Sequence, residues 1–176
     1  MPRRLTRLVL FTGLGFLTLA SVAYAAGIRL NLSGSIPPGF YRVVSGPVER
    51  GATVLACLPS DIASFARARG YVPSGSCDDG SAPIGKRVAD VAGDTIDVTA
   101  LGVSVNGKLL RASTPLQRDS EGRALPVLRL AAHVVPANEV WLMSSYSAHS
   151  FDSRYFGAIP ASRVISRIAP ILASRW

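Results

Sequence analysis

The stretch KRVADVAGDTIDVTALGVSVNG, residues 86–107, decides the fold class. Lys86 to Val91 is a short strand-like run, Gly93-Asp94 reads as a turn, and Thr95-Ile96-Asp97-Val98 alternates apolar and polar residues. Such alternation sends successive side chains to opposite faces of a sheet. Val103-Ser104-Val105 then meets Asn106-Gly107, a pair favoured in tight hairpins because both residues accept positive φ. The segment predicts an antiparallel meander and a mainly β fold.

The flanking sequence extends that reading in both directions. Toward the N-terminus, Gly51 to Leu58 reads as a buried strand, Asp61 to Arg69 as a short helix stopped by Gly70, and Phe40 to Val44 as a strand. An irregular stretch rich in Ser, Pro and Gly, Asn31 to Gly39, leads into that last strand. Toward the C-terminus, Leu110 to Asn138 is polar and Pro-interrupted, which predicts a long excursion from the sheet whose role the sequence leaves open. Glu139 to Ser144 and Val164 to Ile168 resume strand character around a polar loop, Ser145 to Tyr155. Twelve prolines and sixteen glycines in 176 residues suit strands and turns better than helices.

Residues 8–28, LVLFTGLGFLTLASVAYAAGI, carry no charge and as a helix reach about 30 Å, the thickness of a bilayer's hydrocarbon core. Arg3, Arg4 and Arg7 precede the segment and Arg29 follows it, so the positive-inside rule keeps the N-terminus cytoplasmic and sends the rest across. Ala23-Tyr24-Ala25 also resembles a signal-peptide cleavage site, so retained anchor and removed signal both stand as readings. The expected organisation is residues 1–28 as cytoplasmic tip and transmembrane anchor or signal segment, and residues 29–176 as one exported domain. Cys57 and Cys77 are the two cysteines, and in an exported domain such a pair is expected to form a disulfide rather than a metal site.

The net charge of +8 rests on 19 basic residues, of which Lys86 and Lys108 are the lysines. The arginines are spread along the chain without a basic run or interleaved aromatics, which argues against nucleic acid as a partner. The sequence contains no G-x-S-x-G elbow, no H-E-x-x-H pair and no Walker-type glycine loop. A Ser-His-Asp triad would need His133 or His149, the latter near Asp152. A Ser-Lys pair is the other nucleophilic arrangement. Taken alone, Ser35 in Ser33-Gly34-Ser35-Ile36-Pro37 is a turn residue. Lys108, after the Asn106-Gly107 turn, reads as a solvated hairpin charge.

Three ordered boxes change that balance. Asn31-Leu32-Ser33-Gly34-Ser35-Ile36-Pro37-Pro38-Gly39-Phe40-Tyr41 resembles the nucleophile box of type I signal peptidases, especially the conjugative-transfer (TraF-type) branch. Gly85 to Asp94 resembles the K-R-V-x-x-x-x-G-D stretch that carries the family's general-base lysine. Ser150-Phe151-Asp152-Ser153-Arg154-Tyr155-Phe156-Gly157-Ala158-Ile159-Pro160 is similar to the family's S-x-D-S-R-[YF]-[WF]-G-x-[VI]-P element. One departure stands out: the usual G-D-N-R-D-N before the third box is replaced by Ser144-Ser145-Tyr146-Ser147-Ala148-His149. This weakens identification with a housekeeping signal peptidase and fits the conjugative branch.

The resemblance implies a signal-peptidase-like antiparallel β fold with a short helix behind one N-terminal transmembrane helix. It implies Ser35 as nucleophile, Lys86 as general base, Ser150 as the hydroxyl that orients the lysine, and the Ser35 backbone N–H with the Ser33 hydroxyl as oxyanion donors. Asp152 and Arg154 are expected to form a structural salt bridge. No cofactor is expected. The implied substrate is a pilin or other exported precursor, with hydrolysis and cyclisation both open as outcomes. The membrane and other conjugation-apparatus proteins are the remaining expected partners. The implied location is the bacterial inner membrane with the catalytic domain in the periplasm. A general type I signal peptidase and a non-catalytic membrane-anchored assembly factor are the alternative readings.

Overall fold

A computed structural model describes residues 3–174. The chain opens with helix α1 (Arg3–Ala25), whose apolar side chains, Leu8 to Leu19 among them, face outward rather than against the body. Over Arg7–Ala25 the mean hydropathy is 1.9, and this is one helix long and apolar enough to cross a membrane. The body then runs β1 (Ile28–Asn31), β2 (Gly39–Val44), β3 (Thr53–Ala56), α2 (Ser60–Ala68), β4 (Ile84–Val88), β5 (Thr95–Val98), β6 (Val103–Val105), β7 (Lys108–Leu109) and β8 (Leu130–Val134). It closes with β9 (Glu139–Val140), β10 (Leu142–Met143), α3 (Ser153–Phe156), β11 (Ile159–Pro160) and β12 (Val164–Ala173). The class is mainly β, and every named strand pairing is antiparallel.

The larger sheet has the order β1-β2-β12-β3-β4-β10, and a four-stranded sheet has the order β7-β6-β5-β8. The last strand therefore sits in the middle of the larger sheet, pairing with β2 on one side and β3 on the other. At its far end β12 comes so close to Gly39 that a Cβ there would lie 2.2 Å from the Leu172 carbonyl oxygen. Gly39 also has φ +151°, a conformation that L side chains rarely adopt. Glycine is required at this crossing on both counts.

Alternation gives each of these two sheets its own buried cluster. Val54, Ala56, Val88 and Leu142 pack with Val140 and Ile159 on the buried face of the larger sheet. Ile96, Val98, Val103 and Val105 pack with Val135, Trp141 and Met143 under the smaller one. Helix α2 follows Pro59 and ends at Ala68, with Arg69 as its C-cap and Gly70 beyond at φ +72°. It buries Ala63 and Ala66 against Leu58 and Val72. A Cys57–Cys77 disulfide closes the loop that contains it.

Four sequence expectations need correction. The strand expected at Lys86–Val91 begins earlier, at Ile84, and ends at Val88. It does not pair with Thr95–Val98: the Gly93-Asp94 turn carries the chain from one sheet to the other, so the meander is confined to β5, β6 and β7. The expected strand Glu139–Ser144 is divided, because Trp141 turns inward and donates its backbone N–H to Asp90 Oδ1 while β9 pairs with β11 and β10 with β4. The excursion after Leu110 contains β8, which pairs with β5 despite a left-handed Ala132 that shifts the register.

Candidate active site

Ser35 lies between β1 and β2, where its backbone is held from several sides. The next residue, Ile36, is buried with Tyr41 and Ile168. Tyr41 Oη donates to the Pro37 carbonyl at 2.7 Å, and Asn31 Nδ2 donates to the carbonyls of Ser33, Ile36 and Pro37 at 3.0–3.2 Å. From the opposite side, Ser144 Oγ donates to the Ser35 carbonyl at 2.7 Å. A serine in a Pro/Gly segment is thereby fixed rather than left on a free turn.

Lys86 enters from β4. The pleat that exposes Arg87 turns Lys86 inward, where it is 1% exposed. Its Nζ donates to Ser35 Oγ at 2.6 Å and also to Ser150 Oγ, while the two hydroxyl oxygens lie 3.4 Å apart. Burial pushes the Lys86 amine down to about 8; the Asp152 carboxylate opposes that shift and the Arg154 guanidinium adds to it. A substantial fraction is then neutral near pH 8, and a neutral amine can accept a proton.

Beneath these groups lies a fully buried ion pair. Arg154 Nε and Nη2 donate to the two Asp152 oxygens at 2.7 and 2.8 Å, and the Ser144 N–H donates to Asp152 Oδ2 at 2.9 Å. Arg154 Nη1 further donates to the Ala148 and Thr114 carbonyls at 3.1 and 3.3 Å. The pair thus pins the loop that delivers Ser150. Because both Asp152 oxygens are engaged this way, the His149–Asp152 arrangement gains no support, and His133 sits on β8 opposite Ile96 in the other sheet. Ser33 lies beside Ser35, but its hydroxyl donates to Asn31 Oδ1 at 2.7 Å.

Two cavities meet at Ser35. One, of about 370 Å³, runs from Ser33, Ser35 and Ile36 past Gly85 toward Tyr24 at the end of α1 and Arg29 on β1. The other, of about 340 Å³, contains Ser35, Lys86 and Ser150 and reaches Leu116 and Leu125 of the 110–138 excursion. Sequence reasoning missed Asn31 and Ser144 as supports of the Ser35 backbone. Ser144 opens the very hexapeptide that departs from the usual pattern, a difference visible in sequence without its purpose.

A hydroxyl held against a buried amine, with a second hydroxyl steadying that amine, is the equipment of a serine hydrolase whose base is not histidine. Residues 3–173 match the family described as signal peptidase, peptidase S26, and the chain belongs to that family. A plasmid transfer protein TraF of Escherichia coli is 42% identical over 171 residues, covering 97% of this chain and 96% of that one. A conjugal transfer protein TraF of Agrobacterium tumefaciens is 38% identical over 156 residues, covering 87% and 86%. A crystal structure of a signal peptidase I from Enterococcus faecalis covers 72% of this chain and 99% of its own, with a TM-score of 0.40 and 15% identity. The family is one of serine peptidases, and together with helix α1 it supports attachment to a membrane.

Proposed function

We propose that this protein is a membrane-anchored serine endopeptidase with a Ser/Lys dyad, residues 1–28 forming the anchor and residues 29–176 the catalytic body. It processes an exported precursor, the pilin of a conjugative transfer system in the reading that the TraF relatives favour. The observation that carries the chemistry is Lys86 Nζ, 1% exposed, at 2.6 Å from Ser35 Oγ. Ser35 Oγ attacks the scissile carbonyl carbon while neutral Lys86 takes its proton. Lys86 then returns that proton to the departing amine, leaving an acyl-enzyme on Ser35. Water or a substrate amine resolves the acyl-enzyme, the first giving a linear product and the second a cyclic one. Ser150 orients the lysine lone pair, since a hydroxyl can accept from or donate to nitrogen without a charge.

For the developing oxyanion the donors are the Ser35 backbone N–H and the Ser33 hydroxyl, which must rotate from Asn31 to serve. Asp152 and Arg154 hold the loop rather than move protons. The active domain faces the periplasm, and the anchor crosses the bacterial inner membrane.

The test is to co-express wild type, Ser35→Ala and Lys86→Ala with a pilin precursor from the same transfer system and weigh the product. Maturation that needs both residues supports the dyad, and a product lighter than the linear chain by one water identifies cyclisation. Maturation by Ser35→Ala would instead favour a non-catalytic assembly factor. Cleavage of unrelated exported precursors at the same rate would favour a general signal peptidase.

A further inference from the structure

The 110–138 excursion and the disulfide-closed loop lie outside the three boxes, yet both wall the cleft. Tyr71 and Val72, six and five residues before Cys77, line the 340 Å³ cavity together with Leu116 and Leu125. The two segments are fastened to one another. Tyr71 Oη donates to Asp119 Oδ2 at 2.5 Å, Arg123 Nε donates to the same carboxylate oxygen at 2.7 Å, and Arg69 Nη1 donates to the Ala124 carbonyl at 2.7 Å. Leu116 is held against the third box, its backbone N–H donating to Tyr155 Oη at 3.0 Å.

Chemistry decides which part of a substrate this chamber meets. The group that takes the Ser35 proton must hand it to the departing amine, so the leaving segment lies on the lysine side of Ser35. Lys86 and Ser150 line this cavity and do not line the one running toward α1. The acyl segment therefore occupies the cavity beside the anchor, and the leaving segment occupies the walled one. Its walls are mixed: Ser120, Ser147 and His149 line part of it, and the apolar part is made by Leu116 and Leu125 with Tyr71 and Tyr155, which pack on Phe151 with ring centroids 5.1 and 5.8 Å away. The one carboxylate in the lining, Asp119, already accepts hydrogen bonds from Tyr71 and Arg123.

We propose that this chamber is a leaving-side subsite which selects substrates carrying a large apolar side chain within the first three residues after the scissile bond. The proposal rests on the peptidase reading above and assigns the excursion its task. Substrate positions before the bond meet the other cavity; Tyr71 and Val72 line both, but Leu116 and Leu125 line only the walled one, which makes the two selections separable. Withdrawing one large aliphatic side chain from water on binding is expected to raise kcat/KM by roughly tenfold or more.

The experiment uses full-length enzyme in detergent and peptides identical before the bond, with Leu, Phe, Ser or Asp placed at each of the first three positions after it. Wild type should cleave the best Leu or Phe peptide about tenfold faster than its Ser counterpart. Leu116→Ser and Leu125→Ser should each shrink that ratio toward one, by slowing the Leu and Phe peptides more than the Ser peptide. An ester with the same acyl part and a small alcohol leaving group is run beside them, and intact mass reports acylation of Ser35. If the ester acylates Ser35 but wild type shows no apolar preference, or both variants keep it, the subsite is wrong and the peptidase stands. If Ser35 is never acylated, the peptidase reading fails and the subsite falls with it.

Discussion

The six-stranded and four-stranded sheets each carry one of the chain's two lysines, and the two lysines live under opposite conditions. Lys86 points from β4 into the interior, against two hydroxyls and above an ion pair, with its ammonium disfavoured by burial. Lys108 begins β7 after the Asn106-Gly107 turn and is exposed. The residue type is the same and the environment differs, so the contrast teaches that the strand which buries a lysine decides how readily its amine is neutral.

The buried acids repeat the contrast. Asp152, under the larger sheet, has each oxygen occupied by Arg154 or a backbone N–H. Asp90 sits where the chain crosses to the smaller sheet; its Oδ1 accepts from Trp141 N–H, whereas Oδ2 is buried without a partner. Burial pushes the Asp90 carboxyl up to about 6, the Trp141 N–H working against that shift and Asp94 adding to it.

The largest expected effect tests the lysines. Lys86→Met should reduce precursor maturation by about 1,000-fold or more, since it removes the base and leaves Ser35 without activation. Lys108→Met should leave the rate within twofold, as scored by product mass in the same assay. Equal losses would erase the comparison. A wild-type pH profile sharpens it: kcat/KM should rise with pH and level off above about 8, because the neutral amine is the active form.

Next in size, Arg154→Met strands the Asp152 carboxylate in the interior and should cost about 3–5 kcal/mol of stability, read as a lowered urea midpoint. The smallest effect belongs to Asp90. Its folded pKa of about 6 exceeds the ordinary 3.8, so its contribution is fully present below pH 4 and lost as pH rises toward 6. Asp90→Asn should therefore flatten the fall in urea midpoint between pH 4 and 6, recovering about 2 kcal/mol at pH 7. An unchanged slope would show that Asp90 is not the group that titrates.

These contrasts also mark how far the sequence could be read. The β class was legible from alternation in Thr95–Val98 and from the Asn106-Gly107 turn, because both are local signals. Ser35, Lys86 and Ser150 could be singled out because each sits in a box with its own residue pattern. The crossing at Gly93-Asp94 was not legible, since a turn between paired strands and a turn between sheets use the same residues. Strand β8 was hidden by Ala132, whose left-handed backbone breaks the alternation that would have announced it. Nor could Tyr71 be connected with Asp119, a contact across 48 residues set by how two loops dock.

The central place of β12 has a consequence for the order of assembly. Ser35 precedes β2 and Lys86 lies on β4, and these strands stand on opposite sides of residues 164–173. Until residues 164–173 are available, the sheet is two unjoined pieces with Ser35 on one and Lys86 on the other. Such long-range closure is slow and comes late in folding. A nascent or partly threaded chain accordingly holds Ser35 and Lys86 apart, and the two side chains meet as β12 zips into place.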